Sequence, residues 1–278
     1  STNIVMPLVS VITNIGMDHM NILGDTIEKI AIEKGGIIKK GIPVVIGETD
    51  KTTASIFELI GAAKQAPVYF ADQRQYVAEW KYEHHKLMTG VDSQHHTDRT
   101  AYLLDLPGYY QTKNLLTVLA ACTVLQENGW KLPESVIQSA LRQVKKMTGL
   151  HGRWDIVHQH PTVILDVAHN EAGMQQVVEQ LELTDYHDLH IILGMVKDKE
   201  IGKVLSLLPS SAHYYFTQAD IPRALDANEL REQAAAAGLR GKSFPDVNTT
   251  IKEVLAKAKP EDLILVCGSV FIVGEVNL

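Results

Sequence analysis

The sequence predicts an α/β protein of two domains. Short β-branched runs alternate with helical patterns along most of the chain, which implies a mostly parallel sheet covered on both faces. That alternation breaks once, near the middle, where a period-2 stretch reads as an antiparallel β-insertion. It restarts after the basic, glycine-containing stretch near Lys146–Leu150. The 278 residues fit two domains of roughly 100–200 residues each. The boundary falls so that residues 1–147 and 148–278 are the two domains.

Strands are expected at Leu8–Thr13, Pro43–Ile46, Val68–Ala71, Val163–Asp166, His190–Leu193, His213–Thr217 and Leu263–Cys267. Leu8–Thr13 is apolar on both sides, as a central parallel strand should be. Helices are expected at Thr26–Glu33, Thr52–Lys64, Glu171–Leu181, Glu200–Leu208, Asn228–Ala237 and Thr249–Ala258. Gly-Asp-Thr before the first of these is a start signal, and Gly238 caps the fifth. Pro133 opens a further helix over Glu134–Lys145, as proline does in a first turn. In the insertion, Tyr76, Ala78, Trp80 and Tyr82 alternate with Val77, Glu79, Lys81 and Glu83, giving a strand with one wet face. Thr89–Ser93 reads as a turn and Thr100–Leu104 as the return strand. The helix after Asn114 carries Leu115, Leu119, Cys122 and Leu125 as a core stripe.

Composition excludes several classes. Hydrophobic residues make up 45% and charged residues 21%, an ordinary soluble balance with enough apolar chain for a large core. A net charge of -7 argues against nucleic acid or an anionic membrane as a partner. No apolar run approaches the ~20 residues of a membrane span, and no signal-peptide pattern opens the chain. Cys122 and Cys267 sit inside apolar patterns and read as buried thiols of a cytoplasmic protein.

Two apparent motifs dissolve on inspection. "AGLRGKS" at Ala237–Ser243 ends like a phosphate loop, but alanine stands at 236 where glycine is required, and a helix precedes it where a strand should. It reads as a helix-to-strand connection. His84-His85 and His95-His96 flank the tip of the insertion, and adjacent strand residues point to opposite faces, so they read as a solvated hairpin. No GxGxxG follows any strand, which counts against a dinucleotide-dependent oxidoreductase.

"DVAHNEAG" at Asp166–Gly173 carries more. An apolar strand ends at Asp166, and Asn170 stands where a helix N-cap belongs. Ligands of open α/β sheets bind at the carboxyl ends of strands, and a helix start there favours an anion. Asp166, His169 and Asn170 are thus polar groups at a mouth. Spacing alone leaves a capped turn with a surface histidine equally open. Arg153 follows Gly152 at the start of a strand leading to Asp166; taken alone it reads as a surface ion pair, and as part of an anion site it could bind phosphate bidentately.

The blocks "ITNIGMDHMNILGDTIEKIAIEKGGIIKKGIPVV" (Ile12–Val45), "LPGYYQTKN" (Leu106–Asn114), "GRWDIV" (Gly152–Val157), "ILDVAHN" (Ile164–Asn170), "LGMVKDKE" (Leu193–Glu200) and "VCGSVFIVGE" (Val266–Glu275) occur in one order over nearly the whole chain. In these blocks the chain resembles the folylpolyglutamate synthase/dihydrofolate synthase group of the Mur-ligase superfamily. The resemblance implies a truncated Mur-ligase-type central P-loop ATPase domain with a β-insertion, followed by a Rossmann-like C-terminal glutamate ligase domain. It implies an ATP-dependent acid–amino-acid ligase of folate biosynthesis and one-carbon metabolism, with ATP and Mg2+ as cofactors, folate and glutamate as substrates, and a monomeric parent. The γ-phosphoryl group passes to a carboxylate, and the glutamate amine then displaces phosphate.

By the same resemblance His19 is a magnesium ligand. Lys34 is carbamylated and becomes an anionic metal ligand, although a helix-terminal lysine complementing the dipole is physically adequate alone. Asn114 contacts adenine; Arg153 and Asp166 contact phosphates and ribose. Asp166, His169 and Ser269 serve glutamate and the reacting carboxylate. The family's GTNGKGS loop and acidic magnesium ligand lie upstream of "TNI" and are absent from these 278 residues. The chain is therefore expected to match the C-terminal two-thirds of such an enzyme and to be inactive by itself. Whether dihydropteroate is also a substrate stays open. The rivals are a cell-wall Mur-type ligase acting on a UDP-sugar peptide and a non-catalytic binding or scaffold module.

Overall fold

The computed structural model describes residues 4–17, 24–93, 96–197 and 200–278. The chain divides into two compact units, one formed by Ser1–Asp105 with Tyr109–Thr148 and the other by Leu106–Gly108 with Gly149–Leu278.

The first unit starts with a three-stranded parallel sheet in the order β1 (Ser10–Ile12), β2 (Val44–Ile46) and β3 (Val68–Phe70). All three residues of central β2 are buried. Helix α1 (Ile27–Gly35) begins at Thr26, whose hydroxyl oxygen accepts the N–H of Lys29, and ends with Lys34 in its last turn. Helix α2 (Ala54–Lys64) follows. Ile12, Val44 and Ile46 pack with Ala31, Ile38 and Phe57 on one side of the sheet. β1 is an edge strand of this sheet rather than a central one: it pairs with β2, and Val11 and Leu8 are exposed.

The insertion is a three-stranded antiparallel meander of β4 (Gln75–Glu83), β5 (Lys86–Ser93) and β6 (His96–Leu104). The turn lies at His84-His85, both with positive φ, and not at Thr89–Ser93, which forms the second half of β5. Gly90 is needed there for room rather than for turning: a Cβ would stand 2.8 Å from Arg99 Cδ and 2.9 Å from Glu79 Cγ. A register shift between Val77 and Glu79 also breaks the expected alternation. Val77 and Trp80 both pack inward, while Tyr76 and Tyr82 stay exposed. His95 lies outside the described residues. Helix α3 (Gln111–Glu127) packs Leu115, Leu119 and Val124 with Leu87, Leu104 and Val45. The helix expected over Glu134–Lys145 is two pieces, α4 (Glu134–Leu141) and α5 (Val144–Thr148). Cys122 in α3 is only half-buried whereas Cys267 is buried, and burial pushes the pKa of both thiols up.

The second unit is a six-stranded sheet in the order β11 (Gly241–Ser243), β10 (His213–Phe216), β9 (Leu189–Leu193), β12 (Leu263–Cys267), β8 (Thr162–Leu165), β7 (Asp155–His158). All pairs are parallel except β7–β8. The expected run from Arg153 to Asp166 is thus a hairpin of two strands. Every residue of β9 and β12 is buried, and each such aliphatic side chain contributes about 1.5–3 kcal/mol. Their residues alternate between two layers. Ile191, Leu193, Leu265 and Cys267 meet α6 (Glu171–Glu182), α7 (Ile201–Leu207) and α8 (Ala227–Ala236). Ile192, Ile264 and Val266 meet α9 (Val247–Leu255) and α10 (Val270–Gly274). Helices therefore cover both faces. "GKS" of Ala237–Ser243 is edge strand β11 after α8, not a phosphate loop. No helix among the described residues is long and apolar enough to cross a membrane.

Candidate functional site

In the first unit the carboxyl edge of the sheet gathers several of the expected groups. Asn14 follows β1, and Lys34 Nζ at the end of α1 donates to its carbonyl at 3.1 Å. Gly47 follows β2; its N–H donates to Ile12 O at 2.8 Å, and a Cβ there would overlap Thr13 O and approach Thr117 Oγ1 at 2.5 Å. Only glycine lets α3 come that close to the strand ends. Lys113 in the first turn of α3 pairs with Glu48 at 2.9 Å. Its neighbour Asn114 donates from Nδ2 to Gln111 Oε1 at 2.8 Å. Gly47, Glu48 and Lys113 were not singled out from sequence, although a glycine directly after a buried apolar run is the available signal. His19 lies outside the described residues.

Lys34 as an ammonium only donates, so it offers a metal no lone pair. It fits a magnesium site solely as its carbamate, whose oxygens are the hard ligands that ion takes.

In the second unit Asp166 follows β8 and Ser269 follows β12, and the register Leu165↔Val266 puts both at one edge of the sheet. Asp166 is buried, and both its oxygens accept backbone N–H groups: Oδ2 from Trp154 at 2.9 Å and Oδ1 from Ala168 at 2.9 Å. It therefore ties the "GRW" turn to the "DVAHN" loop. Arg153 lies in that turn, and its guanidinium donates to Gly152 O at 3.2 Å. Gly152 has φ +74°, and a Cβ would sit 2.7 Å from Val167 and 2.8 Å from Val273.

His169 lies next in the loop, with Nδ1 2.9 Å from Val167 O. A carbonyl only accepts, so Nδ1 carries the proton and Nε2 is the acceptor of the neutral ring. Asn170 caps α6, its Oδ1 accepting Gly173 N at 2.8 Å. Ser269 caps α10, its Oγ accepting Phe271 N at 3.1 Å. Gly268 N donates to Ala168 O at 2.9 Å, joining the two loops. Arg153, Asp166, His169, Asn170 and Ser269 thus share one hydrogen-bonded loop assembly at the carboxyl ends of β8 and β12.

Comparison with known families decides the kinship. The family model for the Mur ligase middle domain matches residues 1–122, and that for the Mur ligase, glutamate ligase domain matches residues 152–270. The chain belongs to the Mur ligase family. Within this family it is similar to the dihydrofolate synthase/folylpolyglutamate synthase of Bacillus subtilis (strain 168), with 32% identity over 284 residues, covering 100% of this chain and 64% of that one. Among solved structures, Escherichia coli FolC in complex with DHPP and ADP matches with a TM-score of 0.78 and 28% identity, over 98% of this chain and 61% of that one. A bifunctional folylpolyglutamate synthase/dihydrofolate synthase with Mn, AMPPNP and L-glutamate bound matches with a TM-score of 0.74 and 27% identity, over 98% and 61%. The chain spans about three-fifths of the length of the curated relatives it matches.

Proposed function

We propose that this Mur-ligase chain is part of an ATP-dependent ligase that joins L-glutamate to tetrahydrofolate through an acyl phosphate. The observation that carries the reading is the loop assembly in which Asp166 bonds both Trp154 N and Ala168 N. It holds a cation (Arg153), an imidazole with an acceptor nitrogen (His169) and a hydroxyl (Ser269) at the carboxyl edge of a parallel sheet, where such sheets bind ligands. The folate-ligase names of the relatives favour a folate acceptor over a UDP-sugar peptide.

In this reading the folate carboxylate takes the γ-phosphoryl group of ATP and releases ADP. The glutamate amine then attacks the acyl carbon, loses a proton and expels phosphate. Arg153 would bind phosphate oxygens, and Asn114 would meet adenine. Asp166 acts by positioning: its buried oxygens fix the backbone that presents Arg153 and His169. His169 and Ser269 would orient the incoming amino acid, and Asn170 would keep the start of α6 aimed at the mouth. Magnesium, held by His19 and the carbamate of Lys34, would supply charge neutralisation on the phosphates.

The test is to incubate the product of the complete reading frame with ATP, tetrahydrofolate and labelled glutamate. Label entering the folate fraction supports the reading. ATP turnover that ignores both folate and glutamate, or label entering a UDP-sugar peptide instead, would sink it.

A further inference from the structure

We propose that the Gly149–Leu278 unit carries a second metal site, for a divalent transition ion of the zinc class, formed by His187, Asp188 and Asp262. These residues precede β9 and β12, which begin opposite each other at Leu189 and Leu263. The cluster therefore stands at the amino-terminal edge of the sheet. Asp166 and Ser269 follow β8 and β12 at the other edge, so the two sites are separate.

His187 Nδ1 is 3.0 Å from Asp188 Oδ2 and 3.7 Å from Asp262 Oδ1, and the three donor atoms all lie within 4.8 Å of one another. Ligands about 2.0–2.2 Å from one tetrahedral ion stand roughly 3–4 Å apart, so small shifts, with the Nδ1 proton that now faces Asp188 moved to Nε2 or released, would bring these atoms into a single coordination sphere. The buried member is already fixed. Asp262 is 3% exposed; its Oδ1 accepts Asp188 N at 3.2 Å, and its Oδ2 accepts Lys259 N at 2.7 Å and faces His190 Nε2 at 3.3 Å. His190 Nδ1 in turn faces the Tyr215 hydroxyl at 3.2 Å. This outer ring orients the carboxylate without any ion, as outer partners do in metal centres. Oδ1 keeps a lone pair beyond its one backbone donor.

Access and charge agree with a cation. The His187 side chain is 61% exposed, which opens the cluster to solvent. Asp188 Oδ2 faces one ammonium, Lys259 Nζ, at 4.0 Å, and the two carboxylates of the cluster outweigh it once the imidazole is neutral, the form that binds a metal. The net charge is negative, and a lysine on a flexible stem can swing away. One imidazole with two carboxylates suits a first-row transition ion; magnesium, away from any substrate phosphate, keeps its waters. The ion would cross-link the segment entering β9 to the segment entering β12, and binding the folded state alone raises stability by mass action.

The probe is Zn2+ alone, added to the EDTA-stripped and dialysed chain and followed by calorimetry and thermal melting. The expected result is saturable binding with a rise in Tm. His187→Ala and Asp188→Asn should each weaken it at least about tenfold, the lower end of what loss of an outer partner alone costs. His19→Ala should leave it intact, which separates this site from the proposed catalytic metal. Asp262 is left alone because its carboxylate holds backbone, and far-UV circular dichroism confirms that the two exposed-side variants fold. Parent-like Zn2+ affinity in His187→Ala and Asp188→Asn would overturn the assignment, as would the absence of saturable binding in the parent or equal binding of Mg2+.

Discussion

The carboxylate of Asp166 accepts the backbone N–H of Trp154 at 2.9 Å, across twelve residues of sequence. Trp154 has φ +49°, a conformation that a bulky side chain rarely adopts, and the residue is 3% exposed. One acceptor therefore pins a strained turn, in which Arg153 stands directly before Trp154. Asp166→Ala leaves two N–H groups without this acceptor and should cost at least about 2 kcal/mol. Asp166→Asn keeps one carbonyl oxygen and should cost less. Urea unfolding of the chain measures both. Equal stability of Asp166→Ala and the parent would show that the bonds are dispensable.

Lys34 donates to Asn14 O as an ammonium, whereas the proposed role needs a negative oxygen. In the complete enzyme, Lys34→Ala should lower turnover. Lys34→Glu should restore part of it by returning a carboxylate near the position of the carbamate. Full activity of Lys34→Ala at low bicarbonate contradicts a carbamate role.

Asp246 caps α9: its Oδ1 accepts Thr249 N at 2.8 Å and its Oδ2 accepts the Thr249 hydroxyl at 2.7 Å. The bond from Thr249 N is the first cause that holds its carboxyl below the usual aspartate value. Folding thus favours the ionised form. The stabilisation is complete above the unfolded value, near pH 4, and is lost as pH falls through the lower folded one. Asp246→Ala should cost about 1 kcal/mol at neutral pH. The gap between variant and parent melting temperatures should close in acid. A gap that persists there would mean that the carboxylate's charge is not what caps the helix.

β1 and β8 make a sharp contrast in exchange. β8 is flanked by β7 and β12, and Val163–Leu165 are buried. β1 pairs with β2 at a sheet edge, with Val11 exposed. Hydrogen exchange should run faster at Val9–Ile12 than at Val163–Leu165. Equal protection in a dilute monomer contradicts the edge position. Slow exchange that appears only at high concentration would point to self-association along β1.

What could be read in advance followed from burial. β9 and β12 are covered on both faces, so their sequences, "LHIIL" and "LILVC", are nearly unbroken apolar runs. β7 lacks that signature: "DIVH" is short and carries the partly covered edge of the sheet. The insertion misled for a chemical reason. Thr89-Gly90-Val91-Asp92-Ser93 has turn composition, yet Gly90 is small to admit Arg99, which bonds Asp92 and Glu79 over it. The real turn at His84-His85 uses residues that seldom announce one. In the candidate site the polar residues of "DVAHN" were visible, and Asn170 is the N-cap expected of it. The work of Asp166 was not visible, because its partner Trp154 is brought near only by the β7–β8 hairpin.

The central claim is ATP-dependent transfer of glutamate to a folate, and coupled product analysis tests it most directly. Purify the product of the complete reading frame, supply ATP, magnesium, tetrahydrofolate and L-glutamate, and measure ADP together with folate mass. The account predicts one ADP for each glutamyl residue added, no reaction when either acceptor or amino acid is omitted, and loss of the product in His169→Ala. The 278-residue chain alone should give none, since it carries no GTNGKGS loop. ADP release without glutamylation, or glutamylation that His169→Ala leaves untouched, would contradict it.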